Sequence, residues 1–265
     1  MKTIDAHIHL DLYPVAERQL ILDELTFFAV QSVIAVSMNL NSCMANLELQ
    51  RLHPEQVLAA FGFHPEQDLP ADEQLEQLFA WIILHQAKMV AVGEVGLPYY
   101  NRLEAEEQGL VFDLKPYLAL LERFIALAAD LGKPIILHAV YEDADLVCDL
   151  LEKYKVSQAH FHWFKGSRET VERMIDKGYF ISFTPDILYE QEIQQLAAIY
   201  PITQMMVETD GPWPFEGPFS GQTTHPRMLA ENIHKLAEIK ELDPEEAGEI
   251  IRQNTIAFYR IKVEK

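Results

Sequence analysis

Six residues of metal-ligating type, His7, His9, Glu94, His138, His162 and Asp210, fall at or near the downstream ends of short apolar runs. Imidazoles and carboxylates are the donors that Zn, Mn, Ni or Mg ions take up in proteins. His7 and His9 stand two apart, and residues i and i+2 of a strand point to one face, so both reach one ion. Six side chains exceed the three or four that one catalytic ion needs, and a carboxylate can span two ions. The set therefore predicts two divalent metal ions, with His7, His9 and Asp210 on one, His138 and His162 on the second, and Glu94 between them. A water held there has its pKa lowered toward about 7. Asp210, beside it, is the expected general base, and Glu94 is the other catalytic carboxylate.

These residues need a frame that gathers strand ends. Short β-rich runs occur at Thr3–Leu10, Ser32–Met38, Val57–His64, Met89–Leu97, Pro134–Val140, Gln158–Phe164, Tyr179–Thr184 and Met205–Asp210. Helix-like periodicity lies between them, at Pro14–Val30, Ala71–Gln86, Pro116–Asp130, Asp143–Tyr154, Arg168–Lys177 and Leu188–Ile199, and the residues after Pro226 supply a last helix and a helical tail. Strands alternating with helices imply parallel pairing through right-handed crossovers. Eight repeats in 265 residues predict a single-domain α/β chain folded as a (β/α)8 TIM barrel, with the active site at the C-terminal ends of the strands. The irregular stretch Gly211–Thr224 follows strand eight and is expected on the same rim.

Other residues have weaker claims on the site. His64 ends the third strand and is expected to touch substrate or support a ligand, and Glu208 shares the inward parity of Asp210. His160 lies one layer deeper than His162 and is expected inside the barrel, whereas His53, His85 and His234 read as surface residues and His225 as a residue facing either the site or solvent. Trp163, Phe164, Trp213, Phe215 and Phe219 are available to wall a pocket. Arg102, Lys165 and Arg168 are the basic residues expected in rim loops, where a phosphate would need them.

Composition narrows the partners. A net charge of −20 argues against a broad basic nucleic-acid footprint, so any phosphate recognition must be local. Hydrophobic residues make up 49% of the chain, enough for a sizeable core, yet no apolar run is long enough to span a bilayer. With no apolar leader and only Cys43 and Cys148, a cytoplasmic protein with reduced thiols, no membrane association and no obligate protein partner is expected.

Six ordered motifs, Asp5-Ala6-His7-Ile8-His9-Leu10, Gly62-Phe63-His64-Pro65, Gly93-Glu94-Val95-Gly96-Leu97, Pro134-Ile135-Ile136-Leu137-His138, His162-Trp163-Phe164-Lys165-Gly166-Ser167 and Glu208-Thr209-Asp210-Gly211-Pro212, resemble those of the TatD family of metal-dependent hydrolases. The likeness spans essentially the whole chain, and Asn254 and Phe258 echo the family's closing helix. It implies an amidohydrolase-like barrel and a divalent-metal hydrolase of phosphoester bonds, with 3′–5′ deoxyribonucleases among its members. The expected substrate is then a single-stranded DNA end, a short oligonucleotide or a small phosphoester.

The rim departs from the family pattern. Pro98 replaces an acid before Tyr99-Tyr100, Ala139-Val140 stand where the family tends to Ser-Arg, and Thr223-Thr224-His225 replace a basic stretch. These losses keep two other readings open, an amidohydrolase-type enzyme cleaving a C–N bond or lactone, and a metal-binding protein without turnover.

Overall fold

The computed structural model describes residues 1–262. Its strands are β1 (Thr3–Ile8), β2 (Val30–Ala35), β3 (Val57–Phe61), β4 (Met89–Gly96), β5 (Ile135–His138), β6 (Ala159–Phe161), β7 (Phe180–Phe183) and β8 (Met205–Val207). They pair in parallel in sequence order within one sheet. Beyond the β8 end, the Asp210 N–H donates to the His7 carbonyl at 3.0 Å and the His9 N–H to the Gly211 carbonyl at 2.8 Å. Those bonds bring the last strand to the first and nearly close a (β/α)8 barrel. The seam is reinforced by the buried Asp5 carboxylate, which accepts from the Thr209 N–H at 3.0 Å and from the Thr209 hydroxyl.

The helices are α1 (Val15–Glu24), α2 (Leu40–Leu52), α3 (Asp72–His85), α4 (Tyr99–Glu107), α5 (Lys115–Leu131), α6 (Asp143–Tyr154), α7 (Arg168–Asp176), α8 (Gln191–Ile199), α9 (Leu229–Lys240) and α10 (Pro244–Tyr259). Each strand, flanked by helices outside and side chains inside, is buried on both faces, which is why it reads as an apolar run rather than an alternation. Ala6, Ile34, Ala60, Ala91, Ile136 and Met206 fill the barrel interior, where Phe258 and Tyr259 of α10 join them. The larger cluster, including Phe61, Phe124 and Phe161, packs strands against helices. Among the described residues, no helix is long and apolar enough to cross a membrane. Cys43 and Cys148 are both free and buried.

Several boundaries differ from the sequence expectation. The first helix ends at Glu24 rather than Val30, and Ala29, with φ +58°, turns the chain into β2 two residues earlier than expected. α2 and α4 were not expected. All eight strands also stop short of their predicted downstream ends. β8 ends at Val207 instead of Asp210, β6 at Phe161 instead of Phe164, and β3 at Phe61 instead of His64.

Close strand contact positions one candidate ligand. Gly96 of β4 pairs with His138 of β5, and a Cβ at Gly96 would lie 1.9 Å from the His138 carbonyl oxygen. Backbone, not a flexible side chain, would have to move. Gly96→Ala is therefore expected to cost roughly 3 kcal/mol of stability. The corresponding fall in thermal midpoint is about 6–12 °C by calorimetry, and an unchanged midpoint would contradict the packing argument.

Candidate metal centre

The barrel brings all six predicted residues to one mouth. His7 belongs to β1 and His9 follows it, Glu94 lies in β4, His138 closes β5, His162 follows β6, and Asp210 stands in the turn after β8. Glu94 sits at the centre and its two oxygens face different partners. Oε2 is 3.2 Å from both His7 Nε2 and His9 Nε2. Oε1 is 2.6 Å from His162 Nε2, 3.0 Å from His138 Nδ1 and 3.3 Å from His64 Nε2. Asp210 Oδ1 completes the first side, 3.2 Å from His7 Nε2 and 3.5 Å from His9 Nε2. The donor atoms thus divide into two groups joined through one carboxylate.

Burial makes this arrangement costly without a cation. His7 Nε2, Glu94 Oε2 and Asp210 Oδ1 are buried and lack a hydrogen-bond partner, although they converge on the same space. An unpaired buried polar atom costs on the order of 1–3 kcal/mol. All three carry electron pairs, so a divalent ion satisfies them together where a further hydrogen-bond donor would satisfy one. The donors of His7, His9 and Asp210 lie within 4.8 Å of one another, as do those of His7, Glu94 and His162, and those of His9, His64 and Glu94. The residues present fit a metal.

The charges agree. Burial would raise the Glu94 carboxyl, but the His162, His64 and His7 charges outweigh it and hold the group well below its ordinary range. Asp210 is likewise lowered against burial, by the His7 and His9 imidazoles, whose Nε2 atoms lie 3.2 and 3.5 Å from its Oδ1. Burial opposes a charged His9, yet the nearby Asp210 and Glu94 carboxylates prevail and push it up to about 10. A metal ion competes with that proton: below about pH 10 His9 is protonated and must release it to ligate. Apparent Zn²⁺ affinity is therefore expected to rise with pH, about tenfold per unit for each proton displaced. Chelator competition across about pH 6–8 measures it, and a flat profile would contradict the assignment.

Two of the backbone positions beside these ligands are left-handed without being glycine, Asp210 at φ +46° and Trp163 at φ +39°. Each costs on the order of 1–2 kcal/mol. Asp210 is held by its N–H bond to the His7 carbonyl, and Trp163 by donating its N–H to Glu208 Oε1 at 2.8 Å.

A cavity of about 520 Å³ opens above the cluster, walled by Trp163, Trp213, Tyr100 and Val140. Among the described residues, no Lys or Arg lines it. A larger cavity of about 1010 Å³ lies at the opposite mouth, among strand starts such as Ser32, Met89 and Pro134, and none of the candidate ligands reaches it. Size therefore does not locate the chemistry here.

The remaining sequence candidates divide. His64, Glu208 and Trp163 are at the site. His160 is inside the barrel, as expected from its parity. His225 is buried away from the site, its Nε2 3.4 Å from Glu24 and its Nδ1 accepting the Arg227 N–H. Arg102 binds Asp143 at 2.6 Å and Glu142 at 3.3 Å, so its guanidinium is engaged outside the cavity. Arg168 pairs with Glu172, and with Lys165 it borders a separate cavity beside α7 and α8. Phe215 packs against Trp163 in a tilted arrangement, with ring centroids 5.5 Å apart, rather than walling the cavity itself.

Glu66 is the residue that sequence reasoning missed. Its Oε1 is 3.3 Å from His138 Nε2, and its carboxylate accepts the N–H groups of Tyr100 and Asn101 at the start of α4, each at 2.8 Å. Its position two residues past His64 in the same rim loop was the available signal.

Comparison with known proteins points to one family. The family model described as TatD related DNase matches residues 4–260. An uncharacterized metal-dependent hydrolase of Haemophilus influenzae is 38% identical over 257 residues, covering 97% of this chain and 99% of its own. The human protein named Deoxyribonuclease TATDN3 is 26% identical, covering 97% of this chain and 94% of its own. Among solved structures, the TatD homolog YJJV of Escherichia coli superposes with a TM-score of 0.85 at 25% identity, covering 98% of both chains. The chain belongs to the TatD family of metal-dependent hydrolases.

Proposed function

We propose that this protein is a two-metal phosphodiesterase that removes nucleotides from the 3′ end of single-stranded DNA or short oligonucleotides. The carrying observation is the divided environment of Glu94, with His7 and His9 against one oxygen and His138 and His162 against the other, while Asp210 faces the same His7 and His9 nitrogens. In this reading those six residues are the ligands of two divalent ions. Bound there, the ions would supply Lewis acidity to a phosphoryl oxygen and lower the pKa of water.

The chain's own residues do the rest. Asp210, held as an anion, accepts the proton of the attacking water at its carboxylate. Glu94 keeps the two groups of imidazoles at fixed separation. The cavity has aromatic walls and, among the described residues, no Lys or Arg in its lining, so the nucleic acid is gripped by stacking of its bases and not by guanidinium or ammonium phosphate clamps. That suits a chain of net charge −20, in which the phosphate is held only at the centre. The naming of a human relative as a deoxyribonuclease supports the same substrate class.

Trp213 is 44% exposed at the cavity wall and free to stack. Trp213→Ala is expected to raise KM for an oligonucleotide about tenfold, the effect of one lost base stack, with kcat nearly unchanged. Steady-state kinetics checks it, and a matching fall in kcat would place Trp213 in the chemistry instead.

The function itself is tested with a 5′-labelled single-stranded oligonucleotide and added Mg, Mn or Zn. A ladder shortening from the 3′ end is expected. Intact DNA with metal demonstrably bound would overturn the nuclease reading and direct attention to small phosphoesters, amides and lactones.

A further inference from the structure

A continuous row of buried polar side chains runs from α10 through the barrel interior to the candidate metal centre. The Tyr259 hydroxyl is 2.6 Å from His160 Nδ1, His160 Nε2 meets the Ser182 hydroxyl, and that hydroxyl reaches Glu208 Oε2 at 2.5 Å. The other oxygen of Glu208 accepts the Trp163 N–H and lies 3.7 Å from His162 Nδ1. His160 and Glu208 are fully buried, and Tyr259 and Ser182 are each only 3% exposed.

Hydrogen bonding allows one fully satisfied order of protons. A carboxylate only accepts, so Ser182 must donate to Glu208. Ser182 then accepts from the Nε2–H of His160. A neutral His160 with its proton on Nε2 has a lone pair on Nδ1, which accepts from Tyr259. Every donor in the row points toward Glu208. The one nitrogen of His162 that faces away from the centre, Nδ1, has no hydrogen-bond partner, and Glu208 is the acid beside it.

We propose that Tyr259, His160 and Ser182 are positioning residues that fix Glu208 as the acceptor for His162 Nδ1–H, so that His162 presents the lone pair of Nε2 to the metal. A carboxylate behind a ligating imidazole sets its tautomer and orientation, and losing such support typically weakens metal binding 10–100-fold. The row extends that support to the far end of the barrel and makes a residue of the C-terminal helix part of the metal centre. It rests on the proposed ligand role of His162, and not on the identity of the substrate.

The test uses Ser182→Ala, which removes the donor to Glu208, and Tyr259→Phe, which removes only the first hydroxyl. Zn²⁺ affinity is read by competition with a chromophoric chelator, and the His162 tautomer by ¹⁵N NMR of the Zn-loaded protein. Weakening by 10–100-fold in Ser182→Ala, a smaller loss in Tyr259→Phe and mixed His162 tautomers are expected. Affinity within threefold of the wild type with an unchanged tautomer would overturn the proposal, even if the thermal midpoint fell, because that is the signature of packing alone. Should Ser182→Ala fail to fold, Tyr259→Phe decides by the same two readings. Neither reading involves DNA, so failure of the nuclease assay leaves this inference standing, and unchanged affinity leaves the nuclease reading standing.

Discussion

Replacing Asp210 by Asn is expected to lower kcat on a single-stranded oligonucleotide by about 10³–10⁴-fold, near the upper range for removing a general base. The two side chains are nearly isosteric, so the barrel should survive. What changes is charge and proton affinity at one buried position. His7 and His9 hold Asp210 as an anion at 3.2 and 3.5 Å, and an amide neither balances a cation there nor accepts the proton of water. Saturating metal should not restore the rate, which separates loss of the base from weaker binding. Steady-state kinetics with melting as a control measures it. A rate within tenfold of the wild type would remove Asp210 from the proton-transfer step.

Glu94→Gln is expected to abolish measurable hydrolysis, a loss larger than about 10⁴-fold, and to weaken both ions at once. Among the described residues, Glu94 is the only acid that touches both donor groups, with Oε2 at 3.2 Å from His7 and His9 and Oε1 at 2.6 Å from His162. A glutamine would offer one carbonyl oxygen to one group and turn an N–H₂ toward the other, where imidazole lone pairs or a cation would meet it. Isothermal titration with Mn²⁺ reads the outcome. Loss of one ion alone would make Glu94 a ligand of a single site, and retention of both would exclude it as the bridge.

The site was more legible in the sequence than its frame. The His7-Ile8-His9 pair, Glu94, His138, His162 and Asp210 are rare residue types inside or just after apolar runs, and the barrel does gather them at one mouth. The ends of those runs were not legible. Several of these residues are apolar-flanked but lie past the last ladder bond, where the backbone already turns, as φ +46° at Asp210 records. The two helices that periodicity did not reveal have no apolar stripe to find. α4 buries no residue at all, and α2 buries Ser42, Cys43, Asn46 and Leu49, a mostly small or polar face. Glu66 escaped because a single acid in a loop carries no periodic signal. Arg102 shows the converse: its rim position was readable, but its capture by Asp143 depends on the start of α6 coming within reach of α4, which no local pattern encodes.

The central claim is that one carboxylate joins two metal sites. Crystals soaked in Mn²⁺ and measured at its absorption edge test it most directly. Two anomalous peaks per chain are predicted, one against His7, His9 and Asp210, the other against His138 and His162, with Glu94 touching both. A single peak, or two peaks of which one lies away from Glu94, would contradict it.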